Sequence, residues 1–263
     1  MCNSDSFRNQ CLLVMSAAVW CVLSGAHTSA TPQARSLTAV VDDARPLAAA
    51  IELLEKRHGW VITYEDPPFV HDTDFSDATA KVRRDSQAGK PRVLIPRGGP
   101  FVFDYAIPGN FDPPEARPVL EALVTAYAST GYPGRFVVRQ SDNVFHVVPV
   151  MGKNSRGTMQ THRSVLDVRV SIAARDRSGL EMLDATAGAV SAAIQEPVAL
   201  GLVPVNALAR IRIREGAANE PARAVLSRTL AATGRRYSWQ LFFNPEKDGG
   251  RYFLNIHVVG GGE

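Results

Sequence analysis

Residues 46–64 read PLAAAIELLEKRHGWVITY and predict one amphipathic helix that passes directly into a β-strand. The apolar residues that recur at helical spacing are Leu47, Ile51 and Leu54. Gly59 predicts the end of the helix, because glycine accepts the left-handed conformation that commonly follows the last helical residue. The β-branched and aromatic run at 60–64 then favours a strand. We expect this helix–glycine–strand unit to be the element from which the fold is built.

The rest of the first half repeats this order of elements. A strand is expected at 101–105, and the helix after it carries Leu120 and Leu123 on one face and ends at Gly131. Two further strands, at 135–139 and 144–150, are separated by four polar residues and predict a β-hairpin.

The second half follows the same pattern. Residues 166–172 alternate strictly between apolar and polar side chains, as a half-buried strand does. Ser178 and Glu181 have the spacing of a capping box at the start of a helix. A second helix is expected to end at Gly234, and a terminal hairpin is expected after it.

Together these elements predict an α+β fold of two helix-on-antiparallel-sheet units, each ordered roughly α-β-β-α-β-β. The predicted segments are a first unit at 37–150 with a long loop at about 65–99, a linker at 151–163 and a second unit at 164–260. The similarity between 115–150 and 220–259 indicates an internal duplication. The alternative is that two α+β halves alternate in this way by chance.

The first thirty residues have the pattern of a secretory signal peptide. Arg8 precedes an apolar run of about thirteen residues, which is shorter than the roughly twenty that a bilayer-spanning helix needs. Small residues predict cleavage after Ala26 or Ala30, and the alternative is an uncleaved N-terminal anchor. We therefore expect a periplasmic or secreted chain that has no transmembrane segment after signal cleavage.

Cysteine usage agrees with this processing. All three cysteines, Cys2, Cys11 and Cys21, precede both predicted cleavage sites. The mature chain would then contain no disulfide, no thiol nucleophile and no cysteine-ligated metal.

The two halves of the chain differ in net charge, although the net charge of the whole chain is small. Residues 31–150 carry thirteen Lys/Arg and fifteen Asp/Glu, a net charge of −2, whereas 151–263 carry fifteen and ten, a net charge of +5. This asymmetry indicates two regions with different surfaces, and the export signal argues against a nucleic-acid partner. No HExxH, GxSxG, phosphate-binding loop or dinucleotide fingerprint occurs, so the sequence predicts no cofactor.

An acidic stretch at 65–77 is the first candidate site. We predict Glu65 and Asp66 as binding residues, and as metal ligands His71, Asp72, Asp74 and Asp77. Hard cations such as Ca²⁺ require several converging carboxylate oxygens, which one loop can supply. The stretch lacks the glycine and the distal glutamate of a calcium loop, and the alternative is a solvated acidic loop.

Basic and aromatic strands are the other candidates. Arg210, Arg212 and Arg214 alternate with isoleucines and predict a basic strand face that would attract an anionic partner. The alternative is an ordinary solvated sheet surface. Aromatic residues predicted to lie in strands could line a ligand groove or form cross-strand core pairs: Trp60, Tyr64, Tyr237, Trp239, Phe242 and Phe243.

The pattern Leu47-x-x-x-Ile51-x-x-Leu54-x-x-x-x-Gly59-Trp60-Val61-Ile62-Thr63-Tyr64 resembles the short N-terminal domain of secretins and TonB-dependent receptors. It is also similar to the opening of many uncharacterised exported bacterial proteins. The resemblance covers about twenty residues, and the large barrel-forming region of those proteins does not follow. It implies an envelope protein that works through protein contacts, and pore formation or receptor transport cannot be carried over from it.

Three functions remain open from the sequence. The first is a non-catalytic binding or scaffolding protein of the bacterial cell envelope that contacts an envelope protein partner through exposed strand edges. The second is a periplasmic hydrolase or metal-dependent enzyme that uses the acidic loop at 65–77. The third is a small-molecule binder that uses the aromatic strands.

Overall fold

A computed structural model describes residues 35–82, 92–107, 114–245 and 250–260. The fold is α+β, as predicted. The predicted signal peptide at 1–30 and the turn of the terminal hairpin at 246–249 lie outside the described residues.

The first half begins with a strand and then alternates helices and strands. Its strands are β1 (Arg35–Asp43), β2 (Val61–Glu65), β3 (Phe75–Asp77), β4 (Leu94–Pro96), β5 (Gly99–Ile107), β6 (Arg135–Ser141), β7 (Val144–Lys153) and β8 (Met159–Thr161). Its helices are α1 (Pro46–His58), α2 (Thr79–Val82) and α3 (Ala116–Ala128), with a 3-10 helix at Asp72–Asp74.

The second half has the same alternation. Its strands are β9 (Arg169–Ile172), β10 (Arg177–Ser178), β11 (Val198–Leu200), β12 (Arg212–Ile213), β13 (Ala217–Pro221), β14 (Tyr237–Asn244) and β15 (Arg251–Val258). Its helices are α4 (Gly179–Ile194), α5 (Val205–Arg210) and α6 (Ala222–Ala231), preceded by a 3-10 helix at Val165–Asp167.

One central sheet contains strands from both halves, in the order β11-β15-β14-β2-β7-β6, with β8 paired to the end of β7. The junction is a parallel pairing of β2 with β14, in which Tyr64 lies opposite Gln240 and Glu65 opposite Leu241. The expectation of a separate antiparallel sheet in each half is therefore corrected: the sheet is shared and mixed. Sequence patterns identify strands, but strands distant in the chain select their neighbours through tertiary packing.

Both halves have the same internal pairing. In the first, β1 pairs with β5, β2 runs parallel to β7, and β6 and β7 form an antiparallel hairpin. In the second, β9 pairs with β13, β11 runs parallel to β15, and β14 and β15 form the hairpin. When β3, β4, β8, β10 and β12 and the short helices α2 and α5 are left aside, each half is ordered β-α-β-β-α-β-β, one strand more than the predicted order. A common topology does not establish a common origin, so the duplication stays a prediction.

The central sheet separates two hydrophobic cores. The first core joins β1 and β5 to α1 and α3 and takes Ile62 and Tyr64 from β2. The second joins β9 and β13 to α4 and α6 and takes Trp239 and Leu241 from β14. Because side chains alternate along a strand, Thr63 and Glu65 face the second core from within the first half. Polar residues of β2 therefore lie between the two halves.

Helix α1 ends as the sequence predicts. Gly59 has φ 67°, and its N–H donates to the Glu55 carbonyl at 2.7 Å. Glu55 itself differs from the expectation of a solvated helix face, because its side chain is buried. One of its carboxylate oxygens accepts a hydrogen bond from the Ile62 N–H at 3.0 Å, which ties the helix to the strand after it.

Two segments expected to be irregular carry strands. Within the predicted loop at 65–99, β3 and β4 pair with each other, and the Ala78 N–H donates to the Val93 carbonyl. Within the predicted linker at 151–163, β7 continues to Lys153 and pairs with β8. Three-residue strands are too short for periodicity to reveal them.

Candidate functional site

The carboxyl end of β2 places Glu65 and Asp66 at the junction of the two halves. The Asp66 N–H donates to the Leu241 carbonyl of β14 at 2.8 Å, which extends the parallel pairing by one residue. Both side chains are buried. A buried carboxylate is costly unless cations and hydrogen-bond donors surround it, so the partners of these two groups decide their role.

Asp66 is enclosed by Arg45, Tyr64 and the backbone of β14. Its Oδ2 lies 2.7 Å from Arg45 Nε and accepts a hydrogen bond from the Phe243 N–H at 2.9 Å. Its Oδ1 accepts from the Tyr64 hydroxyl at 2.8 Å. Burial raises the pKa of Asp66, against the opposing effect of the Arg45 charge. With both oxygens occupied, Asp66 connects the halves and is not open to a ligand.

Glu65 enters a second network on the other face of the sheet. It forms an ion pair with Arg223 of α6 and accepts a hydrogen bond from Ser164 Oγ at 2.6 Å. Arg223 also lies 3.2 Å from Asp167, which in turn pairs with Arg139 of β6 at 2.5 Å. This chain of charges crosses twice between the halves and stabilises their contact.

His146 of β7 lies beside this network. Its Nδ1 is 2.8 Å from Thr63 Oγ1, and its ring lies 5.5 Å from the ring of Trp239. Burial, and next the nearby Arg223 charge, lower the pKa of His146 to about 3. Among the described residues, no hydrogen bond joins His146 to Ser164 or to a carboxylate. The nucleophile–base hydrogen bond that acyl-transfer chemistry uses is not formed here.

A further buried pair joins α1 to the last strand. Glu55 Oε2 lies 2.7 Å from His257 Nε2. Burial by itself would lower the pKa of His257, but the hydrogen bond and charge of Glu55 outweigh it, so the pKa is raised. This ion pair makes its full contribution to stability at pH values below the ordinary histidine pKa. The contribution is lost as the pH rises through the raised pKa of His257, because the imidazole becomes neutral.

Replacing Glu55 by glutamine is expected to lower the pKa of His257, because the raising hydrogen bond and charge are removed while burial remains. Titration of the His257 ring signals by NMR measures this shift directly. His162 is the control histidine: burial lowers its pKa, it does not belong to this pair, and its titration should not change. An unchanged His257 titration in the Glu55→Gln variant would contradict the assignment.

The four residues predicted as metal ligands are spread along the segment after β2. Asp74 is buried and pairs with Lys153 at 2.9 Å, and the Asp77 carboxylate pairs with Arg92 at 2.7 Å. His71 Nδ1 lies 2.8 Å from Thr73 Oγ1, and Asp72 is exposed at the start of a 3-10 helix. Within the described ranges, no three histidine, cysteine, aspartate or glutamate side chains are grouped to hold a metal ion.

The predicted aromatic residues are divided between the two faces of the central sheet. Trp60 stacks on His58 with ring centroids 4.4 Å apart, and Tyr64 packs in the first core near Phe242. The second core contains Tyr237, Trp239 and Phe243. These rings do not line one common groove, because their strands present alternate side chains to opposite cores.

The three alternating arginines do not form one strand face either. Arg210 ends helix α5, Arg212 lies on the two-residue strand β12 and pairs with Asp176 at 2.9 Å, and Arg214 is exposed after that strand. The expected long strand is therefore corrected. Helix α5 packs Leu208 into the second core, and only Arg212 and Ile213 pair with β10.

Arg210 lines a groove between α5 and the ends of β14 and β15. The groove has a volume of about 400 Å³ and is lined by Pro204, Val205, Asn206, Ala207, Arg210, Arg235, Tyr237 and Val258. Its rim is unusually apolar for a surface: Val205 and Val258 are both exposed, and the neighbouring Leu202 is 79% exposed. An exposed group of large apolar side chains beside a concave surface is typical of a binding site.

The groove was not predicted from the sequence. Helix α5 is only six residues long, and one apolar residue, Leu208, faces inward, so no helical periodicity marks it. The sequence predicts both Arg210 and Tyr237 as candidate residues, but at different sites. Arg210 belongs to the predicted basic strand face, and Tyr237 belongs to the predicted aromatic strands. In the sequence, the groove is marked by apolar residues next to Pro204 that fit no predicted helix or strand.

A second concave surface lies near the 3-10 helix that precedes β9. Its polar lining residues include His162, Ser164 and Glu196. Burial lowers the pKa of His162 and raises the pKa of Glu196. Ser164 is already hydrogen-bonded to Glu65 and Arg223, so its hydroxyl belongs to the junction between the halves.

The chain matches no family model, no curated protein and no solved structure. In the part of the chain that the structure describes, none of the helices combines the length and the apolar character needed to cross a bilayer.

Proposed function

We propose that this protein is an exported, non-catalytic binding protein of the bacterial cell envelope that recruits a protein partner by adding a strand to β1. The single observation that carries the proposal is the outer edge of β1. This nine-residue strand pairs with β5 on one side, and no other strand of the described residues pairs with its second side.

The exposed surface of this two-stranded sheet favours an interaction. Val40 and Val102 lie directly opposite each other, and they are 65% and 55% exposed. The first core covers the opposite face, so the pair points outward. Apolar side chains that are grouped on a solvated face mark a site where a partner can cover them.

The middle of β1 also lacks the usual protection against pairing, whereas its ends carry Arg35, Asp42 and Asp43. Natural edge strands carry prolines, bulges or charges that prevent pairing with another chain. Residues 36–41 of β1 read SLTAVV and contain none of these charges or prolines. At the start of β5, by contrast, the Tyr132 hydroxyl donates to the Pro100 carbonyl at 2.8 Å. We therefore assign the partner strand to β1.

The buried acidic residues support a binding role more than a catalytic one. Glu65 and Asp66 are enclosed by Arg223 and Arg45, and Asp74 is paired with Lys153. Carboxylates that are buried and paired with cations in this way hold the fold together. The signal-like N-terminus and the resemblance of 47–64 to an envelope module support the proposed location.

The test is affinity capture from a bacterial envelope extract with the wild-type protein and a Val40→Lys variant. A lysine at this outward position should leave the fold intact and reduce the captured partner at least tenfold, because it places a charge on the added-strand surface. Val70→Lys is the matched control, since Val70 is exposed outside this sheet. Hydrogen exchange of the complex should show new protection of the amides at 36–42.

Equal capture by Val40→Lys and wild type, or a complex without added protection in β1, would reject the proposed surface. The location is tested separately by N-terminal sequencing of the protein from a periplasmic fraction. The expected first residue is His27 or Thr31, and an intact Met1 would reject the cleaved signal.

A further inference from the structure

We infer that the groove between α5 and the ends of β14 and β15 binds a small carboxylate that has an apolar tail. This site is separate from β1 and does not depend on the proposed partner. Its volume of about 400 Å³ lies within the range of about 300–1,000 Å³ that is common for small-molecule sites.

The apolar walls select the tail of the ligand. Pro204, Val205 and Ala207 line one side of the groove, and Val258 lines the other. Leu202 extends this surface, because its carbonyl accepts a hydrogen bond from the Ile256 N–H and so lies alongside β15. An aliphatic chain laid between these residues would remove their exposed side chains from water, which is favourable in proportion to the apolar area covered.

Tyr237 supplies a polar group that has no internal role. Its side chain lines the groove, the residue is only 4% exposed, and its buried hydroxyl has no hydrogen-bond partner among the described residues. Buried tyrosine hydroxyls normally find a partner, since leaving one unsatisfied is costly. An acceptor oxygen on a ligand would satisfy this donor.

Two arginines determine the charge of the ligand. Arg210 and Arg235 line the groove and are exposed, and within the described residues neither guanidinium has an ion-pair partner. By comparison, Arg212 and Arg228 are paired with Asp176 and Glu220. Unpaired guanidinium groups beside an apolar surface favour an anion, and their planar fork matches a carboxylate. Tyr237 lines the same groove, so the groove offers guanidinium groups and a hydroxyl donor for one carboxylate head group.

The experiment is a calorimetric titration of the purified protein with octanoate, octanol, acetate and octyl phosphate. Octanoate should bind saturably with one site per chain. Octanol, which has the tail without the charge, should bind at least tenfold more weakly, and acetate, which has the charge without the tail, should show no saturable binding. Octyl phosphate should bind more weakly than octanoate, because its head group carries more charge and costs more to remove from water beside the apolar walls.

Variants locate the site. Arg210→Gln and Arg235→Gln should each weaken octanoate binding about tenfold, and Tyr237→Phe should weaken it about fivefold. Arg214→Gln is the matched control, because Arg214 is exposed but does not line the groove, and it should bind octanoate as the wild type does. The melting temperature of free Tyr237→Phe should equal or exceed that of the wild type, since an unsatisfied hydroxyl is removed.

Several results would overturn the inference. These are equal affinities for octanoate and octanol, tighter binding of octyl phosphate than of octanoate, no saturable binding of any of the four compounds, or unchanged octanoate binding in both arginine variants. Because Val40→Lys does not touch the groove, that variant should bind octanoate normally. Failure of the partner test and failure of the carboxylate test are thus independent.

Discussion

Replacing Arg223 by alanine is expected to lower the free energy of unfolding by about 3–5 kcal/mol, the usual cost of removing one partner of a buried ion pair. The side chain of Arg223 is 10% exposed and that of Glu65 is 1% exposed. Without the guanidinium, the Glu65 carboxylate would stay buried with only the Ser164 hydroxyl as a donor. Urea denaturation followed by circular dichroism measures the loss.

Two further variants test whether the loss of stability comes from the buried ion pair or would follow any substitution in α6. Arg228 lies on the same helix and pairs with Glu220 at the surface, so Arg228→Ala should cost less than about 1 kcal/mol. The double variant Glu65→Leu with Arg223→Met removes both charges together and should recover most of the loss, because apolar replacement of a buried pair is often nearly neutral. A cost below about 1 kcal/mol for Arg223→Ala would show that the pair does not hold the halves together.

Lowering the pH is expected to destabilise the protein through His146. The unfolded chain binds a proton at the ordinary histidine value of 6.5, whereas the folded chain keeps this imidazole neutral down to about pH 3. Between these values the unfolded state binds more protons, so stability falls as the pH falls. The contribution of this one group between pH 6.5 and pH 4 is about 3 kcal/mol.

The variant His146→Gln should therefore lose about 3 kcal/mol less than the wild type over the same pH range, since glutamine does not titrate. The measurement is the free energy of unfolding from urea titrations at several pH values. Parallel curves for wild type and His146→Gln would contradict a buried neutral imidazole.

Local chemistry made the regular elements predictable. Gly59 ended α1 because a left-handed residue is needed there, and Ser178 capped α4 through both hydrogen bonds of the capping box. The alternation of apolar residues at 166–172 identified β9, although the strand begins at Arg169, after the 3-10 helix at Val165–Asp167. Each of these signals depends on residues within a few positions of one another, and for that reason one sequence was sufficient to find them.

The role of the acidic residues could not be predicted in the same way. Glu65 and Asp66 are conspicuous next to each other in the sequence, but their partners Arg223 and Arg45 lie 158 and 21 positions away. An acidic pair in a loop and an acidic pair buried between two halves look alike until the opposing cations are known. The same holds for Tyr237, whose unsatisfied hydroxyl is visible only when the groove around it is formed.

By itself the sequence determined the α+β class and the helix–glycine–strand unit at 46–64, because hydrophobic periodicity and capping residues act over a few residues at a time. Only the tertiary structure decided that β2 and β14 join the halves into one sheet, that Glu65 and Asp66 are enclosed, and that α5 leaves an apolar groove open beside two arginines that have no ion-pair partner among the described residues. Strand partners, buried charges and concave surfaces are set by contacts between residues far apart in the chain, and those contacts exist only after the two cores have packed on either side of the shared sheet.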